Sequence, residues 1–225
     1  CEAGYDGDAF VEGGLSHKIK DVSECGKVWD LKEIPLLVDE TGESIARCRP
    51  AAVIDGILAK RNLGTSREMA PLTIALGPGF TAGEDVDYVI ETQRGHDLGR
   101  IIEEGEAAPN TGVPGVIAGV GKERVIHSPA SGSIKNLAKI GDFVEKGQMI
   151  AEVEGVSVPA SITGVLRGII RDGYIVHKGM KIADIDPRKE QKKNCSTISD
   201  KARCIAGSVV EILLAEGVLP ARKTS

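Results

Sequence analysis

The sequence predicts a two-part protein in which an α/β part precedes an all-β part and a final helix. Three short apolar runs at 34–39, 51–55 and 72–76 each end in or beside an Asp or Gly, which favours strands buried in a parallel sheet. The stretch 119–187 then repeats itself at an interval of 32 residues. We therefore expect an α/β part at 1–118, a β domain at 119–187, and a linker with a C-terminal helix at 188–225.

Net charge, the length of apolar runs and the number of cysteines exclude several classes of partner and site. The 225 residues carry 28 Lys and Arg against 33 Asp and Glu, a net charge of −5, so neither nucleic acid nor an anionic membrane is an expected partner. No run approaches the ~18 apolar residues of a membrane span. Five cysteines without a CxxC pair favour neither a disulfide framework nor a metal site, and a cytoplasmic location is expected.

Connecting elements are placed by turn signals and by apolar spacing. Helices are expected at 21–32 and 55–61, with one strand at 99–103 among turns. After a polar linker at 188–194, Ser199 and Asp200 can cap a helix that ends at Gly217. Its apolar stripe predicts packing on the α/β part and comprises Ile205, Val209, Ile212 and Leu213.

The internal repeat is exact at seven positions. Each copy contains a strand, a Gly-centred turn, the phrase Val-x-Lys-Gly and a closing strand, and the two copies are expected to close on each other. Ile134, Phe143, Leu166 and Ile175 are predicted core residues. The identical pairs are Gly132/Gly164, Gly141/Gly173, Val144/Val176, Lys146/Lys178, Gly147/Gly179, Ile150/Ile182 and Ala151/Ala183.

One copy of this repeat, SPASG followed by GDFVEKGQMIAEV, resembles half of a biotinyl/lipoyl-type barrel-sandwich hybrid. The second copy resembles the other half. Carriers of this fold hold the modified lysine between the halves, where this chain has 154–158 and no lysine. Lys146 and Lys178 lie in the Val-x-Lys-Gly turns instead, so we expect neither biotin nor lipoate.

The whole chain resembles the YqeB-like accessory proteins found with selenium-dependent molybdenum hydroxylases. This resemblance implies a Rossmann-like sheet in the α/β part, whose usual opening strand, Gly-rich turn and helix do not occur in this sequence. We expect that first βα unit to be deleted or to lie outside this chain. The phrases that carry the resemblance are AAVIDGILAKRNLGT, PLTIALGPGFTAG, VIETQRGHDLG, 109–119 and TISDKARCIAGSVV.

The resemblance also implies a function. It is an accessory role in maturing a selenium-dependent molybdenum hydroxylase, by binding the molybdenum cofactor, a nucleotide, the client enzyme or other maturation proteins. Two alternatives stay open: a nucleotide- or pterin-using transferase, and a scaffold that docks a partner without a small-molecule site.

Two loops are candidates for binding an anion. Gly77, Gly79, Thr81 and Gly83 follow a predicted strand, and glycine-rich backbone can present N–H groups to a phosphate or form a purely structural turn. The second loop also follows a strand end, so both loops are expected at one crevice. Its candidate residues are Lys60, Arg61, Asn62 and Thr65.

Other polar residues carry weaker signals. His96 beside Asp97 is a candidate general base, although adjacent strand residues point to opposite faces, and Arg94 nearby could contact an anion. Cys195 and Cys204 flank the start of the last helix, where a thiol with a lowered pKa could act as a nucleophile or simply pack. The remaining histidines are interpreted as non-catalytic and are His17, His127 and His177.

Overall fold

The computed structural model describes residues 2–113 and 115–219, which form two compact units. The first unit combines Cys1–Asn110 with Ile198–Ser225, and the second is Thr111–Thr197. Within the described ranges, none of the helices has both the length and the apolar character needed to cross a membrane.

The first unit begins with a small three-stranded sheet. Strands β1 and β2 form an antiparallel hairpin, and β2 pairs in parallel with β3. The predicted burial of the 34–39 run is wrong, because Ile34 and Val38 are 58% and 57% exposed and none of the six residues is fully buried. A helix forms within 21–32, as predicted. The elements are α1 (Glu2–Asp6), β1 (Asp8–Val11), β2 (Gly14–Ile19), a 3-10 turn (Val22–Glu24), α2 (Cys25–Asp30), β3 (Ile34–Leu37) and α3 (Glu43–Cys48).

A second sheet in this unit has the strand order β4, β5, β7, β8. The first three strands run parallel and β8 is antiparallel to β7. Ile74, Val89 and Ile90 are completely buried, as apolar runs in a parallel sheet should be. The strands are β4 (Val53–Asp55), β5 (Thr73–Leu76), β6 (Thr81–Ala82), β7 (Tyr88–Ile90), β8 (Ile101–Ile102) and β9 (Gly105–Glu106), with β6 and β9 paired separately.

The helix predicted at 55–61 does not form. Leu58 and Lys60 have φ angles of 59° and 65°, in the left-handed region that a right-handed helix excludes. In the described residues, no α-helix connects the parallel strands. The apolar cover comes instead from the last helix, α4 (Asp200–Ala215), whose Ile205 and Ile212 pack with Ile74 and Ile90. Ser199 caps α4 as predicted, by accepting a hydrogen bond from the N–H of Ala202.

The second unit contains two four-stranded sheets that the two copies of the repeat build together. Each copy supplies four strands, and the shift of 32 residues relates them one to one. The first copy has β10 (Val125–His127), β11 (Gly132–Asn136), β12 (Phe143–Val144) and β13 (Met149–Val153); the second has β14 (Val156–Pro159), β15 (Gly164–Ile169), β16 (Ile175–Val176) and β17 (Lys181–Asp186).

Neither copy forms a sheet alone. One sheet has the order β10, β17, β15, β12 and the other β14, β13, β11, β16. Each sheet therefore takes its two inner strands from one copy and its two outer strands from the other. The turn glycines repeat the exchange, because the Gly141 N–H donates to Leu166 O at 2.9 Å and the Gly173 N–H to Ile134 O at 2.7 Å.

The core between these sheets contains equivalent residues from both copies. Ile134 and Leu166 are buried as predicted, but Phe143 and Ile175 are 39% and 61% exposed, so their prediction as core residues is wrong. Side chains alternate along a strand, and on β12 and β16 it is the following valines that face inward. The buried equivalent pairs are Ile126/Val158, Ile134/Leu166, Val144/Val176, Ile150/Ile182, Ala151/Ala183 and Val153/Ile185.

Gly164 on β15 provides a test of this packing. A Cβ there would collide with the carbonyl oxygen of Asp186 on the paired strand, whereas a Cβ on Gly168 of the same strand would meet nothing within 4 Å. We expect Gly164→Ala to lower the free energy of unfolding of the second unit by at least about 2 kcal/mol, since close-packed backbone cannot give way. Gly168→Ala should be close to neutral. Urea unfolding followed by circular dichroism measures both, and equal effects would contradict the packing argument.

His17 connects the three strands of the first sheet. Its Nδ1 contacts Asp8 on β1, and its Nε2 lies 2.7 Å from Oε2 of Glu33, just before β3. The hydrogen bond to Asp8 raises the pKa of His17 above the ordinary 6.5, and burial opposes this only in part. The protonated imidazole is therefore the form that the folded sheet favours.

The stability contributed by His17 should depend on pH in a defined direction. A raised folded pKa gives stabilisation that is complete below the unfolded value of about 6.5 and is lost as pH rises through the folded value. We expect protection of the β2 amides from hydrogen exchange, corrected for intrinsic rates, to decrease between about pH 6 and pH 9. His17→Asn should remove this dependence. An unchanged pH dependence in the variant would refute the assignment to His17.

Candidate functional site

Three strand ends of the first unit lie along one edge of its second sheet. Because β4, β5 and β7 are parallel, the residues at their carboxyl ends are neighbours: Asp55, Gly77 and Glu91. Ligand sites in open α/β sheets occur at such edges. This edge is therefore the expected location of the residues predicted to bind an anion.

Asp55 anchors the loop that follows β4. Its carboxylate is 7% exposed and accepts hydrogen bonds from Thr65 Oγ1 at 2.7 Å and from the Ile57 N–H at 3.0 Å. Asn62 Oδ1 accepts from the N–H groups of Gly64 and Thr65, both at 2.8 Å. Asn62 and Thr65, predicted to bind a ligand, thus use these groups to shape the loop.

The glycine-rich loop after β5 is paired within the protein at three of its four candidate positions. The Gly77 N–H donates to Ile90 O and the Gly83 N–H to Val86 O, both at 2.8 Å. The Thr81 N–H donates to Asp85 Oδ2, also at 2.8 Å. These pairings favour the alternative of a structural turn at Gly77, Thr81 and Gly83, since their N–H groups are already engaged within the protein.

Gly79 brings the two predicted loops into direct contact. Its φ is +105°, and a Cβ there would lie 2.5 Å from the Cα of Arg61. Glycine is thus required for the approach of the Arg61 backbone, not only for that of a ligand. Within the residues that the structure describes, the N–H groups of Gly79 and Phe80 have no hydrogen-bond acceptor, so they are the donors this loop still offers.

Glu91 and Thr92 anchor the segment after β7. Glu91 is 6% exposed, and its two carboxylate oxygens accept from the N–H groups of Gln93 at 2.6 Å and Ala108 at 2.7 Å. Thr92 is buried and leaves no room for a side chain at Gly77, where a Cβ would lie 2.5 Å from its Oγ1. Glu91 and Thr92 thus hold the segment after β7 in place beside the glycine-rich loop.

The first turn of α4 adds positive charge to this edge. Arg94 holds Asp200 with two hydrogen bonds of 2.8 Å. Burial lowers the pKa of Lys201, and so do the nearby charges of Lys60 and Arg94, while Glu91 acts in the opposite direction. The positive charges of Lys60 and Arg94 thus both act on Lys201. We call Lys60, Arg94 and Lys201 the basic cluster.

Two of the three cations of the basic cluster make no ion pair with the described residues. Asp200 pairs with Arg94, but neither Lys60 nor Lys201 makes an ion pair within residues 2–113 and 115–219. The cluster also lies at the N-terminus of a 16-residue helix, whose dipole adds to the positive potential. Such an arrangement attracts an anion.

The candidate catalytic pair is not assembled. Asp97 forms an ion pair of 2.6 Å with Arg100, and His96 is exposed with no described hydrogen bond to Asp97. A general base needs a partner that fixes its tautomer and position. The geometry gives His96 no such partner.

The remaining candidates lie in structural settings. Cys204 donates to Leu98 O at 3.3 Å, and Cys195 contacts Gln191 O at 3.7 Å. Lys146 and Lys178 are exposed in equivalent turns of the second unit. The turn between the two copies, Glu154 and Gly155, has no lysine, and the absence of biotin and lipoate stays a prediction.

Sequence analysis missed several residues of this edge. Asp55 and Glu91 had a local signal, because each directly follows a short apolar run, and Thr92 comes next after Glu91. Lys201 had none, since only the packing of α4 brings it to Lys60.

Comparison with known proteins points to one relative. No family model matches the chain. The uncharacterized protein YqeB of Escherichia coli (strain K12) is 46% identical to it over 214 residues, 95% of this chain. Over nearly its whole length the chain is similar to part of YqeB. It spans 39% of the length of that relative.

Solved structures give only weak likenesses. The product-bound ectoine utilization protein EutE (DoeB) of Ruegeria pomeroyi has a TM-score of 0.26 at 18% identity, covering 39% of this chain and 28% of that one. An aspartoacylase family protein of Mesorhizobium loti has a TM-score of 0.30 at 12% identity, covering 62% and 52%. The succinylglutamate desuccinylase/aspartoacylase of Rhodobacter sphaeroides has a TM-score of 0.27 at 14% identity, covering 53% and 46%. Scores this low support no functional argument.

The role of Asp55 as loop anchor can be tested directly. Asp55→Ala leaves the Thr65 hydroxyl and the Ile57 N–H without their acceptor, a loss of about 1.5–3 kcal/mol for bonds to a charged group. We expect hydrogen exchange of the amides of 57–65 to accelerate by about 10- to 100-fold. Glu84→Ala, at an exposed carboxylate of the same unit, is the control and should change little. Unchanged exchange in Asp55→Ala would show that the loop does not depend on this carboxylate.

Proposed function

We propose that this chain binds an anionic small molecule, a nucleotide or a pterin phosphate, at the basic cluster. We further propose that it does so as an accessory protein in the maturation of a selenium-dependent molybdenum hydroxylase. The first part is supported by the electrostatic interaction of Lys201 with Lys60 and Arg94, and by the absence of an ion pair of Lys60 or Lys201 within the described ranges. The second part is supported by the resemblance of the phrases quoted above.

The physical reason for an anion is the repulsion within the basic cluster. Bringing like charges together costs free energy, and a partly buried lysine also loses solvation. A phosphate between Lys60 and Lys201 would remove both costs and gain charge-assisted hydrogen bonds. The N–H groups of Gly79 and Phe80 are further donors on the loop that contacts the backbone of Arg61.

The alternatives differ in what supports them. A transferase would need a positioned base, and His96 has no described partner for that role. A scaffold without a small-molecule site would leave the basic cluster without a ligand. The geometry therefore favours binding over catalysis.

The fold assignments accompany this proposal. We propose that the parallel strands β4, β5 and β7 belong to a Rossmann-like sheet, supported by their pairing and by strand ends that carry the candidate site. We propose that the second unit is a barrel-sandwich hybrid, supported by the exchange of strands between two equivalent copies.

Calorimetric titration tests the binding proposal. The probes are ATP, GTP, pyrophosphate and a pterin monophosphate, titrated into the full chain. Replacing Lys60 or Lys201 by Ala should weaken binding by about 10- to 100-fold, the value of one charge-assisted contact. Arg61→Ala tests the predicted neighbour, and Lys27→Ala, which removes one charge from the same unit, is the matched control. Affinity should fall as pH rises through the lowered pKa of Lys201, because only its charged form attracts the anion.

Two results would reject the proposal. Wild-type protein that binds none of the four probes has no such site. Variants at 60 and 201 that stay folded and bind like Lys27→Ala would place the site elsewhere. The maturation role is tested separately, by measuring molybdenum content and activity of the client hydroxylase in cells that express either wild type or Lys201→Ala.

A further inference from the structure

The second unit has a charge opposite to that of the whole chain. Residues 111–197 contain 13 Lys and Arg and 9 Asp and Glu, a net charge of +4. The rest of the chain contains 15 basic and 24 acidic residues, a net charge of −9. The excess of positive charge is therefore a local property of the second unit.

Much of this charge lies on one 3-10 segment, Lys189–Asn194. One side of this segment is attached to β15, because Gln191 Oε1 accepts hydrogen bonds from Arg167 on β15 at 3.3 Å and from Asn194 in the segment at 3.0 Å. In a 3-10 segment, residues three apart share a side. Lys189 and Lys192 therefore lie on a different side from Gln191 and Asn194.

An exposed aromatic ring extends this basic surface. Lys189 Nζ lies 4.7 Å from the centroid of Phe143, which is 39% exposed on β12. Strand β12 is an edge strand of its sheet, with a partner strand on one side only. We call Phe143, Lys189, Lys192 and Lys193 the basic ridge.

The lysines of the basic ridge have no ionic partner of their own. Within the part of the chain that the structure describes, Lys189, Lys192 and Lys193 form no ion pair, and all three are exposed. The nearest buried carboxylate, Asp186, is already engaged by Arg188 at 2.8 Å and by Arg167 at 3.5 Å. Lys189 and Lys192 share one side of the segment, and Lys193 shares the next side with Glu190, so the ridge presents two positive charges on one side that carboxylates from another molecule could neutralise.

We propose that the basic ridge docks an acidic segment of a partner protein. Carboxylates spaced along an extended segment can pair with Lys189, Lys192 and Lys193 while the backbone runs beside edge strand β12. A nucleic acid fits less well, because the ridge offers one aromatic ring for stacking and the chain is acidic overall. This inference does not depend on the anion site of the first unit.

Fluorescence anisotropy of the full chain with a labelled poly-L-glutamate of about 20 residues tests the ridge, since such a peptide supplies closely spaced carboxylates. The variant Lys189→Glu/Lys192→Glu/Lys193→Glu should bind at least about tenfold more weakly than wild type. The control Lys135→Glu/Lys139→Glu/Lys178→Glu makes the same change of charge at exposed sites of the same unit and should retain most of the affinity. Circular dichroism confirms that each variant is folded; if the ridge variant is not, Lys192→Glu replaces it.

Three outcomes would overturn the proposal. Equal loss in both triple variants would mean that only total charge matters. Tighter binding of single-stranded RNA of equal charge would assign the ridge to nucleic acid. Self-association of wild type in analytical ultracentrifugation, abolished in the ridge variant, would make a second copy the occupant.

Discussion

The exchange of strands between the two copies of the repeat is the constraint on which the second unit depends. Each sheet combines two inner strands from one copy with two outer strands from the other, so neither copy can complete a sheet or bury its apolar residues alone. The turn hydrogen bonds follow the same rule: the Lys146 N–H donates to Thr163 Oγ1 at 3.0 Å, and the Lys178 N–H donates to Ser131 Oγ at 2.9 Å. The sequence identity between the copies thus maintains two equivalent contacts, and a change in one copy alters the other copy's surroundings.

A different constraint organises the first unit, where parallel pairing places three strand ends side by side. Two buried carboxylates at this edge accept backbone or hydroxyl hydrogen bonds, and their side chains are committed to holding loops. The charge available for a ligand therefore comes from residues outside the strands, Lys60 and Lys201. Acidic anchors and basic contacts thus have separate roles at one edge.

Local pattern was enough to predict the strands at 51–55 and 72–76 and the capped helix after Ser199. It failed at 55–61, because the hydrogen bonds of Asp55 and Asn62 hold a loop with left-handed residues that no periodicity reveals. It failed at Phe143, because strands of two residues carry too little alternation to tell inside from outside. The contact of Gly79 with Arg61 and the position of Lys201 depend on tertiary packing, which single-sequence reasoning does not reach.

Helix α4 also makes the candidate site a property of the whole first unit. Apolar contacts of Ile205 and Ile212 pack α4 against the sheet. A 2.5 Å hydrogen bond from Ser208 to Gly99 O and the ion pair of Arg94 with Asp200 also hold the helix there. An anion bound between Lys60 and Lys201 would join the loop after β4 to this helix, two segments far apart in the chain. Binding would then oppose detachment of the helix by RT ln(1 + [L]/Kd), about 2.7 kcal/mol at a hundredfold excess over Kd. Because Asp200 in the first turn of α4 pairs with Arg94 from the segment after β7, one ion pair both helps to dock α4 and reduces the positive charge left for a ligand.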